Sequence, residues 1–241
     1  MGPGSSGSLN ALILFEDEHL LVVRKPPGIN THAAGPFAGE GIYDWLRRRE
    51  PRWADLAIVQ RLDKDTSGVL VFSKTRRGNV SLTKQFSRRR VAKEYSFLTD
   101  RPPPAEPVLV RSWIRKGAGR FLSLEEELGP ECLEAQTRIT PAGPAGEGRW
   151  LLRAEPLTGR THQIRLHAAD QRFPILGDTL YGGAPFPRLC LHARALRFRH
   201  PATNEPLEFV DEARFDENPG WLLREAVVDP DLTDAFRMVH G

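Results

Sequence analysis

Residues 58–75, IVQRLDKDTSGVLVFSKT, set a charged, hydroxyl-rich loop between two apolar runs. Leu70, Val71 and Phe72 predict a buried strand, and Ile58 with Val59 the end of another. A polar loop between buried strands is where a rigid scaffold presents catalytic groups. Asp65, Thr66 and Ser67 can each bond nearby backbone, and Gly68 can adopt a positive φ, so this part reads as the turn. Arg61 and Asp63 ask for more. A carboxylate at the edge of a core, paired with Arg, stays ionised. That suits a nucleophile or a base, although from the residues alone a structural ion pair fits as well.

The chain around this loop has 241 residues, enough for one large domain or two small lobes. Its 40% hydrophobic and 27% charged residues are ordinary for a globular protein, and no apolar run reaches the length of a membrane span. Residues 1–8 lack the apolar stretch of a signal peptide and read as an expression remnant. Cys132 and Cys190 lie far apart without metal-type spacing, which argues against a disulfide framework and for a reducing cytoplasm. A net charge of +3 says little about partners, but its distribution says more. Lys74, Arg76, Arg77, Lys84, Arg88, Arg89, Arg90 and Lys93 follow one another with no acid before Glu94.

Short strand patterns and helix patterns mix without strict βαβ alternation. The expected class is therefore α+β rather than a doubly wound sheet. Strands are predicted on both sides of a turn at Glu16–Glu18, around the opening loop, in 92–100, in pieces over 108–140, in 149–157 and in 189–200. Helices are predicted in 41–50, in 79–90 with Leu82 and Phe86 at i, i+4, in 160–171 with Ile164 and Ala168 facing inward, and near 231–239. Segment 141–148, PAGPAGEG, reads as a loop.

RLDKDTSG at 61–68 resembles the H-R-L-D-x-x-T-S-G signature of the RluA-type pseudouridine synthases. Four further stretches agree in order: EDEHLLVVRKPPGINTH, RRRVAKEY, PLTGRTHQIRLHAADQRFPILGDTLYGG and CLHARALRFRHPATNE. The resemblance covers roughly residues 12–212. It implies the pseudouridine synthase fold, a mixed, largely antiparallel central sheet in two lobes with flanking helices and a catalytic cleft. The expected organisation is a catalytic domain over 9–212, a C-terminal extension over 213–241 with one helix, and no separate N-terminal RNA-binding domain of the kind many members carry.

The implied activity is isomerisation of an RNA uridine to pseudouridine, with no cofactor and no metal. Asp63 matches the family's catalytic aspartate, while Asp65 falls at a variable position. Tyr95 matches the tyrosine that packs on the target base, and Arg165 the arginine that pairs with the aspartate. Arg61 is expected at the RNA around the flipped nucleotide, and Ile175 and Leu176 at the base pocket. Arg160 and His162 could meet phosphate at a helix start, and Arg90 and Lys93 belong to the basic stretch that the RNA substrate would use. Gln60 stands where the family usually has His. An amide cannot titrate near neutrality, so this position can serve hydrogen bonding or positioning but not base catalysis.

The expected partner is RNA, a tRNA or an rRNA stem-loop, with no membrane and a monomeric enzyme. His162 and His167 are five apart, which rules out a zinc pair on one helical face. Two alternatives remain. One is an RNA-binding or remodelling protein of the same fold without catalysis. The other is a hydrolase using Asp63 and Asp65 as paired carboxylates.

Overall fold

The structure, a computed structural model, describes residues 12–33 and 41–216. The expected helix near 231–239 and the remnant at 1–8 lie outside the described residues. One sheet organises the rest, with strands in the order β1-β2-β4-β10-β5-β9-β8-β6-β7. These strands are β1 (Ile13–Glu16), β2 (Leu20–Lys25), β4 (Ser67–Ser73), β5 (Ala92–Thr99), β6 (Val108–Lys116), β7 (Phe121–Leu124), β8 (Leu133–Pro144), β9 (Trp150–Pro156) and β10 (Leu191–Arg199). Two short strands flank this path: β3 (Ala57–Ile58) pairs with β4, and β11 (Pro206–Val210) with β10. Every pairing is antiparallel except that of β4 with the start of β10. The largely antiparallel α+β architecture is the one expected.

The uniformly apolar runs of β2 and β4 have a direct cause. Side chains alternate across a strand, and both faces of this half of the sheet are covered. Leu21, Val23, Leu70 and Phe72 pack with Ile42, Leu46 and Trp53 on one face. Leu20, Val22, Val69 and Val71 pack with Leu82 on the other. Helix α1 (Ile42–Arg49) supplies Ile42 and Leu46, and helix α2 (Arg76–Ser87) supplies Leu82. Thr75 caps α2 by accepting from the Gly78 amide at 3.2 Å. In the other half, α3 (Gln163–Asp170) buries Ile164 and Ala168 against Phe97, Ile139 and Leu152, the inward face expected of it.

One expectation needs correction. Segment 141–148 is not all loop, because β8 continues to Pro144. Beyond Ile139 the strand has lost β6 as a neighbour and pairs with β9 alone. Proline is tolerated where a ladder has one side only, and the register shift at Pro141–Gly143 absorbs the rest.

Candidate active site

The loop that carries Asp63 is tied down from several sides. Thr31 Oγ1 donates to the Leu62 carbonyl at 2.9 Å and accepts from the Leu62 amide at 3.0 Å. The Lys64 carbonyl accepts from the Gly28 amide at 2.9 Å and from Lys25 Nζ at 2.9 Å. Lys25 is fully buried, which draws its pKa down to about 7, and its Nζ also donates to the carbonyls of Pro26 (3.0 Å) and Ile29 (2.8 Å), so that its charged form has one acceptor for each proton. The Thr66 amide donates to the Asp63 carbonyl at 3.1 Å and closes the turn. Gly68 (φ +116°) is required by a close approach: a Cβ there would lie 2.2 Å from the Ala193 carbonyl oxygen of β10. Ser67 departs from the turn role expected of it. It is the first residue of β4, and its hydroxyl lies 2.8 Å from Nδ1 of His192, across the parallel pairing.

Sheet register then brings the catalytic candidates together. Ala193 pairs with Gly68 on one side and with Tyr95 on the other, so Tyr95 sits in the same row as the end of the Asp63 loop. The Tyr95 phenol is pushed up in pKa by burial and by the Asp63 carboxylate, so it is neutral at physiological pH. Asp63 itself is half-buried, and among the described residues its carboxylate has no hydrogen-bond or ion-pair partner.

That corrects two expectations. Arg165 does not pair with Asp63. Its Nε and Nη2 donate to the two carboxylate oxygens of Asp178, both at 2.7 Å, and its guanidinium carbon lies 5.0 Å from the Tyr181 ring centroid. Both partners are buried, and a bidentate fork between them is the arrangement that best compensates their desolvation. Asp63 reaches Arg165 only through space, as one of the fields that hold the guanidinium charged. Arg61 makes no ion pair with Asp63 either. It is exposed at the rim.

A cleft of about 1450 Å³ opens over Asp63. Asp63, Tyr95 and Arg165 line it together with Gln60 and Arg61. So do Arg90, Lys93, Arg160 and His162. Ile175 and Leu176 line neither this cleft nor the smaller cavity beside it. They sit in the core, with the Leu176 amide donating to the Leu98 carbonyl at 2.8 Å, and apolar wall comes instead from Leu62, Ile164 and Leu191. The basic stretch 74–93 also divides. Lys74 is spent on Glu16 at 2.7 Å and Arg77 on the Ala202 carbonyl at 3.0 Å, whereas Arg89, Arg90 and Lys93 face the cleft. Burial draws the Lys93 pKa down, and its Nζ donates to the Thr158 carbonyl at 3.1 Å.

His162 occupies the N-cap of α3 with a left-handed backbone (φ 57°), and its Nδ1 lies 2.8 Å from the Tyr181 hydroxyl. Burial lowers its pKa, outweighing the field of Asp63. Gln60 Nε2 and Thr66 Oγ1 are buried without a hydrogen-bond partner among the described residues. Among the described residues no group of three or more His, Cys, Asp or Glu is placed to hold a metal ion.

Residues 19–170 match the sequence profile of the RNA pseudouridylate synthase family. The chain belongs to that family. Its curated relatives include the ribosomal large subunit pseudouridine synthase C of Yersinia pestis, 36% identical over 204 residues (81% of this chain, 63% of the relative). The protein of the same name from Vibrio vulnificus is 34% identical over 222 residues (83% of this chain, 65% of the relative). The chain thus spans less than two thirds of the length of these two pseudouridine synthases. Human RNA pseudouridylate synthase domain containing 4 has the same fold, with a TM-score of 0.71 at 24% identity over 93% of this chain and 97% of that one. The sequence reading singled out neither Asp178 nor Tyr181, which the structure sets against Arg165 and His162. Asp178 and Tyr181 lie inside a stretch that carries the family resemblance, but nothing in their local spacing points to Arg165 or His162.

Proposed function

We propose that this chain isomerises a uridine of large-subunit ribosomal RNA to pseudouridine, with Asp63 as the reacting carboxylate. The observation that carries this reading is the state of Asp63: half-buried in a basic cleft that it shares with a neutral phenol, and with its carboxylate committed to no partner among the described residues. A structural aspartate in such a place would be paired, as Asp178 and Asp211 are. The choice of RNA follows the names of the curated relatives.

The target nucleotide leaves its stack and enters the cleft, at a cost of a few kcal/mol. Arg61, Arg89, Arg90, Lys93 and Arg160 offset that cost on the phosphates, which makes binding salt-dependent. The Gln60 carboxamide lines the cleft, and its buried Nε2 has no acceptor among the described residues. Asp63 acts on the ribose, at C1′ or on the C2′ proton; both routes need the ionised carboxylate. The N1–C1′ bond breaks with its electron pair on the base, the base turns against the Tyr95 ring, C5 joins C1′ as Asp63 is displaced from C1′ or returns the C2′ proton, and the C5 proton leaves as N1 takes one up. Asn cannot supply the carboxylate but fills the same space.

The test is tritium release from RNA labelled at uracil C5, with wild type and Asp63→Asn, on large-subunit rRNA and on total tRNA. Release from the rRNA that the substitution abolishes is the expected result. Release that survives Asp63→Asn, or confined to tRNA, overturns the assignment of the residue or of the substrate, respectively. No release from either RNA overturns the activity.

A further inference from the structure

Beside the main cleft, and sharing Asp63 with it, lies a second cavity of about 550 Å³. Arg188, just ahead of β10, lines it together with Asp65, Arg165 and Asp178. Arg165 and Asp178 neutralise one another at 2.7 Å. Arg188 has no such partner. Among the described residues it makes no ion pair, and its contacts go to neutral groups: the Ser67 hydroxyl through Nη2, the Leu189 carbonyl through Nε at 3.2 Å, and the Phe215 ring at 5.6 Å from its centroid. A guanidinium carries five N–H donors. Two are used, and Nη1 has both of its protons left.

The orientation of this guanidinium is held from behind. Its hydroxyl partner, Ser67, lies 2.8 Å from Nδ1 of His192. His192 Nε2 is 2.9 Å from the Asp211 carbonyl oxygen and 3.3 Å from its carboxylate, which Arg24 Nε approaches at 2.8 Å. Ser67, His192 and Asp211 are all buried. This chain of side chains ends on an arginine that lines a cavity with Asp63 and has no counter-ion of its own among the described residues. A partly buried cation left unpaired is costly, and here desolvation already works against the charge.

We propose that Arg188 takes an anionic oxygen of the RNA substrate beside Asp63, an inference that rests on the function proposed above. That oxygen has two possible sources. One is the phosphate flanking the extruded nucleotide. The other is the base itself. When N1–C1′ breaks, the bonding pair goes to N1 and spreads to O2 and O4. As C5 bonds to C1′, the C5 proton is lost, N1 is reprotonated, and the charge disappears. A guanidinium at O2 or O4 stabilises the ring only between those steps.

The experiment compares wild type, R188Q and R188K on one RNA that the wild type modifies. RNA affinity is measured in the non-turning Asp63→Asn background over a salt series. Single-turnover rates are measured at saturating RNA carrying uridine or 5-fluorouridine at the target. R188Q is expected to lose about 10- to 100-fold in one of the two quantities, as a charge-assisted hydrogen bond would dictate, with R188K between it and wild type. Weaker binding, a salt slope reduced by about 0.7–0.9 and an unchanged saturated rate identify the phosphate. Unchanged binding with a slower rate, the defect shrinking on 5-fluorouridine because fluorine itself stabilises the ring anion, identifies the base. R188Q within twofold of wild type in both quantities overturns the proposal. Should R188Q fail to fold, R188K, which lacks the fork, carries the test by the same readings. A wild type that modifies no RNA sinks the underlying function instead, and is seen before any variant is made.

Discussion

Removing the Asp178 carboxylate tests whether the Arg165–Asp178 fork is what holds Arg165 beside the reacting centre. Asp178 is 2% exposed and Arg165 9%, and two hydrogen bonds of 2.7 Å join them. Asp178→Ala leaves a guanidinium in a place where water reaches it poorly. Breaking a buried pair from one side costs about 3–5 kcal/mol. At about 2–4 °C per kcal/mol for a domain of this size, the melting temperature should fall by about 6–20 °C. Urea unfolding should show a lower midpoint at unchanged slope. The neighbouring field matters too: Asp63 is the other carboxylate acting on Arg165, so the freed side chain is drawn toward it, and turnover should drop along with stability. The double variant Arg165→Met/Asp178→Leu separates the two effects. It removes both charges at similar volume, so it should regain most of the lost stability, yet stay inactive. A loss below about 1 kcal/mol in Asp178→Ala would refute the reasoning, because it would mean that the pair is solvated or replaceable.

Two further outcomes follow from the fold. Gly68→Ala should lower stability by at least about 3 kcal/mol, since it adds the cost of a positive φ to a Cβ placed 2.2 Å from the Ala193 oxygen; a urea midpoint near that of wild type would show that β4 and β10 can part without penalty. His167, between Thr137 Oγ1 at 2.7 Å and Ser112 Oγ at 3.0 Å, is lowered by burial to about 4 from 6.5. Its folded value is depressed, so the unfolded chain binds the extra proton: stability is complete above the unfolded value and is lost as pH falls from 6.5 toward about 4, by at most about 1.4 kcal/mol per unit. Urea midpoints of wild type and His167→Gln across that window should diverge, and parallel curves would remove His167 as the cause.

What could be read from the sequence was what local chemistry decides. The runs at Leu20–Val23 and Val69–Phe72 are apolar at every position because helices cover both faces of that half-sheet, and the uniformity itself marks them as buried strands. Ile164 and Ala168 face inward because they are one turn apart. Motif matching carried Asp63 and Tyr95 into one cleft, and register explains why: the row Gly68–Ala193–Tyr95 crosses three strands that are distant in sequence but adjacent in the sheet. Partnerships between side chains were not legible in the same way, for they depend on which strand lies beside which and on the path of a loop. The motif pairs Arg165 with Asp63, yet the loop after α3 returns Asp178 to it at 2.7 Å. Ser67 reads as a turn residue until the parallel pairing of β4 with β10 sets His192 beside it, 125 positions away. The same topology decides the charge state of the site. Because Asp178 satisfies Arg165, Asp63 is left without a fixed counter-ion among the described residues, the state that the proposed reaction requires of it.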